Sequence, residues 1–349
     1  MRIGLIAPPW LPVPPPRYGG TEAVLDNLAR GLRDLGHDVV LFTVGESTCP
    51  VPRRHLYEQA PPRIGDSAHE AAHVLAAYQA LRDVDIVHDH TVLGPLIAAG
   101  LDDPVPPIVV THHGAFDAQA RRIFGRASRR ASVVAISHAH ARSAGNVPIA
   151  AMIHHGIDLD VYRPGPGDGG YLLFMGRMSP DKGVHRAVRI AREADQPLVI
   201  VAKMREPEEI AYYRSVVRPL MPAGAEPPRE EPRHQRIELL RAATGLLNPI
   251  NWPEPFGLVM AESLATGTPV VATPYGAAPE IVDPGSTGFL AADDTHLVAG
   301  IGRLGSIDRR RCRRAAERRF SLARMARDYE RLYRRIQSAQ SRPVKRLAG

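Results

Sequence analysis

The chain has 349 residues, of which 44% are hydrophobic and 23% are charged, with a formal net charge of +7. This length predicts two domains, and the composition is that of an ordinary globular protein. No uncharged apolar run is long enough to cross a membrane, and the opening run MRIGLIAP lacks the parts of a signal peptide, so we expect a cytoplasmic protein.

The excess of basic residues is compatible with an anionic substrate, an anionic membrane surface or nucleic acid. Only three of the 44 basic residues are lysines, Lys182, Lys203 and Lys345, so a lysine within a motif is notable. The two cysteines, Cys49 and Cys312, are far apart and form no metal or redox motif, which fits a reducing compartment.

The N-terminal half alternates short apolar runs with helix-like stretches. In TEAVLDNLARGLRDLGH the apolar residues recur at intervals of three and four, as on one face of a helix. This alternation predicts a parallel sheet with helices on both faces. The predicted strands are Ile3–Ala7, Val39–Thr43, Ile86–His88, Ile108–Thr111 and Val133–Ile136.

A second α/β domain is predicted after YRPGPGDGG, a linker-like stretch rich in proline and glycine at 162–170. The alternation restarts there with the strand-like runs YLLFMG, PLVIVA, GLLNPI and TPVVAT. A proline-rich stretch at 221–234 predicts a loop within this domain. The C-terminal end predicts helices, and the first of them contains the basic run Arg309–Arg319.

Two loops after predicted strands carry charges that suit a phosphorylated ligand. In GRMSPDKG, Gly176 allows a tight turn, and Arg177 and Lys182 can together hold a diphosphate or be solvated surface charges. Lys203 ends the strand-like run PLVIVAK, where a ligand contact and a surface position are equally compatible with the pattern.

The stretch PEPFGLVMAES places two glutamates, Glu254 and Glu262, around a predicted helix start. The unpaired amides of that first turn, at Phe256, Gly257 and Leu258, suit an anion. A carboxylate can accept hydrogen bonds from the neighbouring hydroxyls of a sugar or a ribose. In isolation, the pattern is also compatible with Glu254 as a turn residue and Glu262 as a partly exposed helix position.

Glycines and histidines follow strands of the first domain. Gly19 and Gly20, in PPPRYGGTEAV, allow close approach of a ligand to the backbone, but the loop lacks the GxGxxG pattern of dinucleotide-binding folds.

The histidines could ligate a metal, supply a base or line a cleft, and we favour the cleft without metal because none has a helical metal-binding spacing. The DVD triplet at 83–85 precedes its strand, at the wrong edge of the sheet for a metal site. The histidines concerned are His88, His90, His112 and His113.

Eight motifs occur in an order that resembles glycosyltransferase family 4, a family of the retaining GT-B class. The sequence segments HHGI and NPINWPEPFGLVM are most similar to those of an actinobacterial subgroup that includes the avilamycin-pathway glycosyltransferase. The eight motifs are YGGTEAV, IVHDH, VVTHHGAFD, VAISHAHAR, HHGIDLDVYRP, FMGRMSPDKG, PEPFGLVMAESLATGTPVVA and YGAAPEIVDPGSTGFL.

The resemblance implies the architecture of the whole chain. It implies two Rossmann-like domains with parallel sheets that face each other across a cleft, an acceptor-side domain at 1–160 and a nucleotide-sugar domain at 171–320. A linker at 161–170 would join them, and a helix at 321–337 would cross back to the first domain. Residues 338–349 are predicted to be a disordered tail.

The resemblance also implies a nucleotide-diphosphate sugar as the donor substrate. Arg177 and Lys182 match the diphosphate-binding pair of the family. Glu254 and Glu262 match its two glutamates, which face the donor sugar and the ribose respectively. The glycine loop of Gly19 and Gly20 would lie near the transferred phosphate.

His113 matches a histidine beside the donor sugar, and the family needs neither a divalent metal nor a cofactor. The implied mechanism is front-face attack, in which the acceptor hydroxyl enters on the side where the diphosphate leaves. The acceptor would be a carbohydrate, a lipid or a small molecule. The sequence at 226–234 departs from the family, where a strand ending in glycine is usual, so the base of the nucleotide stays open.

Three alternatives remain at this point. The same scaffold could be a non-catalytic nucleotide-sugar or carbohydrate-binding protein, or it could carry a phosphorylase or epimerase activity. The run at 309–319 lacks interleaved aromatic residues, which argues against nucleic-acid binding. That run could make a weak peripheral contact with an anionic membrane or be a solvated helix face.

Overall fold

The computed structural model describes residues 1–101 and 105–340. They form two α/β domains, each built on a parallel sheet, which confirms the predicted fold class. The predicted strands have continuous apolar runs because both faces of a parallel sheet are covered by helices.

The described residues of the first domain form a seven-stranded sheet with the order β3-β2-β1-β4-β5-β6-β7. Its strands are β1 (Arg2–Ile6), β2 (Asp38–Thr43), β3 (Arg53–His55), β4 (Ile86–Asp89), β5 (Ile108–Thr111), β6 (Ala131–Ala135) and β7 (Ile149–Met152). Its helices are α1 (Gly20–Asp34), α2 (Ser67–Ala80), α3 (Gly94–Ala98), α4 (Ala118–Ala127) and α5 (His138–Ser143).

The second domain has a five-stranded sheet with the order β12-β11-β10-β8-β9. Its strands are β8 (Leu172–Arg177), β9 (Leu198–Lys203), β10 (Gly245–Asn248), β11 (Val270–Ala272) and β12 (Gly288–Leu290). Its helices are α6 (Val184–Glu193), α7 (Pro207–Tyr212), α8 (Arg233–Ala242), α9 (Leu258–Ala265), α10 (Ala278–Ile281), α11 (Asp294–Ile301) and α12 (Arg309–Arg319). Short 3₁₀ or π segments lie at Pro180–Lys182, Tyr213–Val217, Arg218–Leu220 and Leu304–Ser306.

The last helix, α13 (Leu322–Gln340), packs on the first domain although it follows the second. Its residues Met325, Tyr329 and Tyr333 are buried in the same core as β1 and α1. The Tyr329 hydroxyl lies 2.9 Å from Thr111 Oγ1, and the Tyr333 hydroxyl lies 2.6 Å from His88 Nδ1.

The bounds of α13 differ from the sequence prediction of a helix at 321–337 and a tail at 338–349. The helix continues to Gln340, and the remainder of the predicted tail lies outside the described residues. Within residues 1–101 and 105–340, no helix is both long and apolar enough to cross a bilayer.

Among the strands of the described residues, three were not predicted from the sequence, and each is short. Strand β3 has the sequence RRH and is largely exposed, so it carries no apolar signal. Strands β7 and β12 lie at sheet edges. The proline-rich stretch at 221–234 is an extended loop up to the start of α8, as predicted, and touches β9 through one bridge between Val201 and Arg229.

Candidate active site

A cavity of about 560 Å³ lies between the two domains, beyond the carboxyl ends of β1 and β8. All twelve residues predicted from the sequence to form the site line this cavity. They come from strand ends, loops and helices of both domains, so the fold has brought them together. Their individual roles remain predictions. The twelve are Gly19, Gly20, His113, Gly176, Arg177, Lys182, Lys203, Glu254, Phe256, Gly257, Leu258 and Glu262.

The loop after β8 presents two cations to the cavity. The Arg177 guanidinium is 41% exposed and lies 3.1 Å from the Asp181 carboxylate. Lys182 ends a single 3₁₀ turn, and Gly183 follows it with a left-handed φ of 73°. A Cβ at Gly183 would lie 2.2 Å from the Pro249 carbonyl oxygen, so only glycine lets this loop pack against the chain that follows β10.

Lys182 is held in place by two neighbours. Its ammonium pairs with the Glu254 carboxylate and lies 4.8 Å from the centre of the Trp252 ring. The Trp252 indole N–H donates to the same Glu254 oxygen at 3.0 Å. The side chains of Lys182 and Glu254 are only 13% and 18% exposed, so the pair is largely shielded from water. An anion that entered the cavity would meet an ammonium whose position is already fixed.

Helix α9 begins at the cavity with its amides unoccupied by any capping side chain. Its N-cap, Gly257, has a left-handed φ of 93°, which a residue with a Cβ would adopt only with strain. The free N–H groups and the helix dipole favour an anion at this end.

The start of α1 meets the start of α9 across the cleft. A Cβ at Gly20 would lie 3.3 Å from the Leu258 Cδ1, and a Cβ at Gly19 would collide with Pro15. The small residues therefore allow two helix N-termini, one from each domain, to face the same space. This arrangement concentrates backbone N–H donors where an anion would lie.

Glu262 lies in the middle of α9 and already has a partner. The Tyr162 hydroxyl donates to Glu262 Oε1 at 2.7 Å. Burial, together with the Glu262 charge, raises the pKa of Tyr162 above its ordinary value, so the phenol stays protonated. The Arg233 guanidinium covers the Tyr162 ring at 5.5 Å. Tyr162 therefore orients Glu262.

Lys203 lines the cavity, but its ammonium is paired within its own domain. It lies 3.2 Å from the Glu206 carboxylate and 3.1 Å from the Glu209 carboxylate. Glu206 and Glu209 also form the capping box of α7. These contacts account for a largely shielded lysine without a ligand, and a donor contact for Lys203 remains a prediction.

The histidines form a stacked, buried row at the wall of the first domain. His90 Nδ1 lies 2.8 Å from His113 Nε2, and the His113 and His155 rings are 5.1 Å apart. Burial lowers the pKa of His113 to about 3, so the ring is neutral near pH 7. His88 instead bonds Tyr333 and Thr111, which anchors α13. Among the described residues, no group of three or more ligating side chains could hold a metal ion.

Sequence reasoning missed several residues that line this cavity. Tyr18, Glu22 and Arg205 line the cavity directly. Trp252 donates a hydrogen bond to Glu254, which lines the cavity. Burial raises the pKa of Glu22 to about 7. The only local signal for Tyr18 and Glu22 was their place beside the glycine pair in YGGTE.

A second cavity, of about 880 Å³, lies at the outer edge of β9 beside the proline-rich loop. Its walls are mainly apolar side chains such as Leu198, Ile200 and Leu220. It contains none of the twelve predicted residues. The concentration of charges and free helix N-termini therefore favours the smaller, inter-domain cavity as the functional site.

Two family models together match most of the chain. Residues 18–161 match the model "Glycosyltransferase Family 4", and residues 163–319 match "Glycosyl transferases group 1". The chain belongs to the family-4-like glycosyltransferases, which confirms the resemblance found in its motifs.

Curated relatives that are similar to part of the chain are also named as glycosyltransferases. A D-inositol 3-phosphate glycosyltransferase from Mycobacterium avium (strain 104) is 28% identical over 230 residues, 60% of this chain and 52% of that protein. The chain thus spans about half the length of the curated relatives it matches.

Solved structures extend the likeness over the full fold. AviGT4, a glycosyltransferase involved in avilamycin A biosynthesis, is 26% identical, covers 97% of this chain and 98% of its own, and has a TM-score of 0.73. The Anabaena protein Alr3699/HepE, solved in complex with UDP-glucose, is 20% identical, covers 97% of this chain and 100% of its own, and has a TM-score of 0.74. The predicted GT-B architecture is therefore confirmed.

Proposed function

We propose that this protein is a retaining glycosyltransferase that moves a sugar from a nucleotide-diphosphate sugar to an acceptor hydroxyl without a divalent metal. One observation carries the proposal: Arg177, Lys182 and the free N-termini of α1 and α9 converge on one inter-domain cavity. Two cations and two sets of backbone donors suit a diphosphate. The UDP-glucose complex of HepE, a neighbour of the same fold, supports a nucleotide sugar as the donor.

Each group has a role in this scheme. The forked Arg177 and the ammonium of Lys182 would hold the diphosphate, and the amides of Gly257 and Leu258 would approach it from the helix end. Glu254, which fixes Lys182, would also accept a hydrogen bond from the transferred sugar. Glu262, oriented by Tyr162, would bind the ribose hydroxyls.

The reaction would follow a front-face course. The acceptor oxygen bonds to the anomeric carbon on the face from which the diphosphate departs. The electron pair of the broken C–O bond goes to the leaving phosphate oxygen, which takes the proton of the acceptor hydroxyl. Arg177, Lys182 and the helix amides stabilise the charge that grows on the diphosphate, which is where preorganised donors lower a barrier most.

His113 would bind the sugar as a neutral hydrogen-bonding ring. Its Nε2 lies 2.8 Å from His90 Nδ1, and burial lowers the pKa of His113, which favours the neutral ring near pH 7. This geometry favours orientation of the donor sugar over proton transfer by His113.

A peripheral membrane contact is a further part of the proposal if the acceptor is a lipid. Several arginines of α12 are already paired within the chain: Arg309 and Arg313 donate to backbone carbonyls, and Arg319 pairs with Asp283. The exposed remainder includes Arg310 and Arg314. Co-sedimentation with anionic liposomes at low salt tests this contact, and absence of binding would remove it.

Donor hydrolysis tests the proposed reaction without knowledge of the acceptor. The protein is incubated with UDP-, GDP-, dTDP- and ADP-glucose, each with magnesium and with EDTA, and proton NMR follows the anomeric signal of the released sugar. We expect slow release of the α-anomer from one donor before mutarotation. Release of the β-anomer would refute retention, and loss of turnover in EDTA would refute metal independence. Tight binding without any turnover would favour a carbohydrate-binding protein.

A further inference from the structure

The proline-rich segment at 221–232 reaches across the cleft to the glycine loop of the first domain. Glu230 Oε1 accepts the backbone N–H of Tyr18 at 2.9 Å. Arg205 Nε and Nη2 donate to the two oxygens of the same carboxylate at 2.8 Å each. Beside this contact, Arg236 donates to the Arg17 carbonyl at 3.1 Å.

The contact is anchored to the second domain by further hydrogen bonds. Glu230 has a side chain only 11% exposed, so water competes weakly for its oxygens. The residue before it, Arg229, accepts the Ala202 N–H at 3.1 Å and so ties the segment to β9. Arg205 lies two residues past the end of β9. A fork of two charge-assisted hydrogen bonds fixes the direction of the carboxylate as well as its position.

The Glu230 carboxylate contacts the loop that directly precedes α1. Tyr18 directly precedes Gly19 and Gly20, which line the inter-domain cavity opposite α9. The Tyr18 side chain lies in the same cavity, where burial and the nearby Arg177 and Glu254 charges act on its hydroxyl. Any shift of the Tyr18 amide would move the glycine loop relative to the cations of the second domain.

We propose that Glu230 is a positioning residue, which holds the glycine loop of the first domain over the diphosphate site of the second. This inference rests on the proposed transferase function. Glu230 does not touch the donor in this scheme; it acts through the Tyr18 amide. The segment at 226–234, whose sequence departs from the family pattern, therefore fixes the position of the glycine loop of the first domain relative to the cations of the second domain.

Another carboxylate also joins the domains, at a different place. Glu280 accepts the amide N–H groups of His138 and Ala139 at 2.8 and 2.7 Å. That contact holds the start of α5, so it would keep the domains associated when Glu230 is changed. Loss of Glu230 should thus loosen the glycine loop locally without separating the two domains.

Hydrogen exchange tests the contact directly, because it needs no substrate. Exchange of the peptide that contains Tyr18 is compared in the wild type, Glu230→Ala, Glu230→Gln and Glu231→Ala. Glu231 is the matched control, since it is the adjacent glutamate and its partner, Arg229 at 2.6 Å, lies in the same segment. We expect faster exchange of the Tyr18 peptide in Glu230→Ala, a smaller effect in Glu230→Gln, which keeps an acceptor, and none in Glu231→Ala.

Kinetics then separate positioning from simple stability. We expect kcat of Glu230→Ala to fall about 10- to 100-fold, as for loss of a hydrogen bond to a charged group, with the affinity for the matching nucleoside diphosphate nearly unchanged and the protein still folded at the assay temperature. Glu231→Ala should keep the wild-type rate. Unchanged exchange in Glu230→Ala, or faster exchange with an unchanged kcat, would overturn the inference. Inactivity of the wild type with every donor would refute the proposed function instead, and the exchange data would still decide whether Glu230 holds the loop.

Discussion

Replacement of Lys182 by methionine is the most informative single change at the site. Methionine keeps an unbranched chain that can cover the Trp252 ring but removes the ammonium that pairs with Glu254. Glu254 would retain its hydrogen bond from the Trp252 N–H at 3.0 Å. Because one partner remains and both side chains have some access to solvent, we expect the free energy of unfolding to fall by only about 1 to 2 kcal/mol.

The effect on function should be much larger than the effect on stability. A hydrogen bond to a charged group contributes about 1.5 to 3 kcal/mol, so the affinity for the matching nucleoside diphosphate should fall about 10- to 150-fold. The charge on the diphosphate grows as the sugar leaves, and loss of one preorganised donor to such a charge lowers kcat about 10²- to 10³-fold.

Calorimetric titration with the nucleotide and the donor hydrolysis assay measure the two effects separately. Arg186→Met is the matched control: Arg186 is a partly buried cation of the same domain that bonds Asp294 at 3.0 Å, and it does not line the cavity. The control should lose stability but keep nucleotide affinity. Arg177→Ala should resemble Lys182→Met in function. Near-normal turnover in both site variants would refute the assignment of the diphosphate site.

Two other predictions concern different parts of the molecule. Glu262→Gln should weaken nucleotide binding about tenfold with little change in kcat at saturating donor, because it removes a ground-state contact to the ribose; a fall in kcat alone would contradict this. His73 is buried, donates to the Ala7 carbonyl at 2.9 Å and has a pKa lowered by burial to about 4. Below pH 6.5 the unfolded chain binds a proton that folded His73 does not, so stability falls as the pH drops towards 4. His73→Gln keeps a hydrogen-bond donor but cannot titrate. Its free energy of unfolding, measured by urea denaturation, should therefore fall about 2 kcal/mol less between pH 7 and pH 5 than that of the wild type. An equal fall in both proteins would refute this prediction.

The fold was predictable from sequence wherever burial dictates composition. The five central strands of the first sheet are buried on both faces, so they have continuous apolar runs that predicted them correctly. These strands are β1, β2, β4, β5 and β6. Strand β3 consists of RRH at a sheet edge, where nothing forces an apolar pattern, so it was missed. The end of α13 was placed too early because polar residues such as Gln337 and Ser338 continue a helix whose apolar face has already been buried.

The site was predictable to the extent that its residues carry local backbone demands. Gly257 is required by its left-handed φ, Gly20 by its close approach to Leu258 at the start of α9, and Gly19 by its close approach to Pro15. Motif likeness supplied Glu254 and Glu262. The order of the loops around the cavity follows from the rule that ligands bind beyond the carboxyl ends of parallel strands.

The partners of these residues were not predictable, because they depend on contacts distant in sequence. Tyr18 and Glu230 are separated by 212 positions, and the segment that carries Glu230 had only the composition of a loop. The pairing of Lys203 with Glu206 and Glu209 is local in sequence, but the sequence analysis did not identify either carboxylate as its partner. Side-chain pairing depends on the tertiary structure, and the hydrophobic periodicity of a sequence does not predict it.

Thermal unfolding with UDP, GDP, dTDP and ADP, each with magnesium and with EDTA, tests the central claim most directly, with NAD as a control. A ligand that binds only the folded state at about 100 times its Kd stabilises it by about 2.7 kcal/mol. We predict that one nucleoside diphosphate raises Tm, that EDTA leaves the shift unchanged, and that Lys182→Met abolishes most of it. No shift with any of the four diphosphates would contradict a donor site at this cavity.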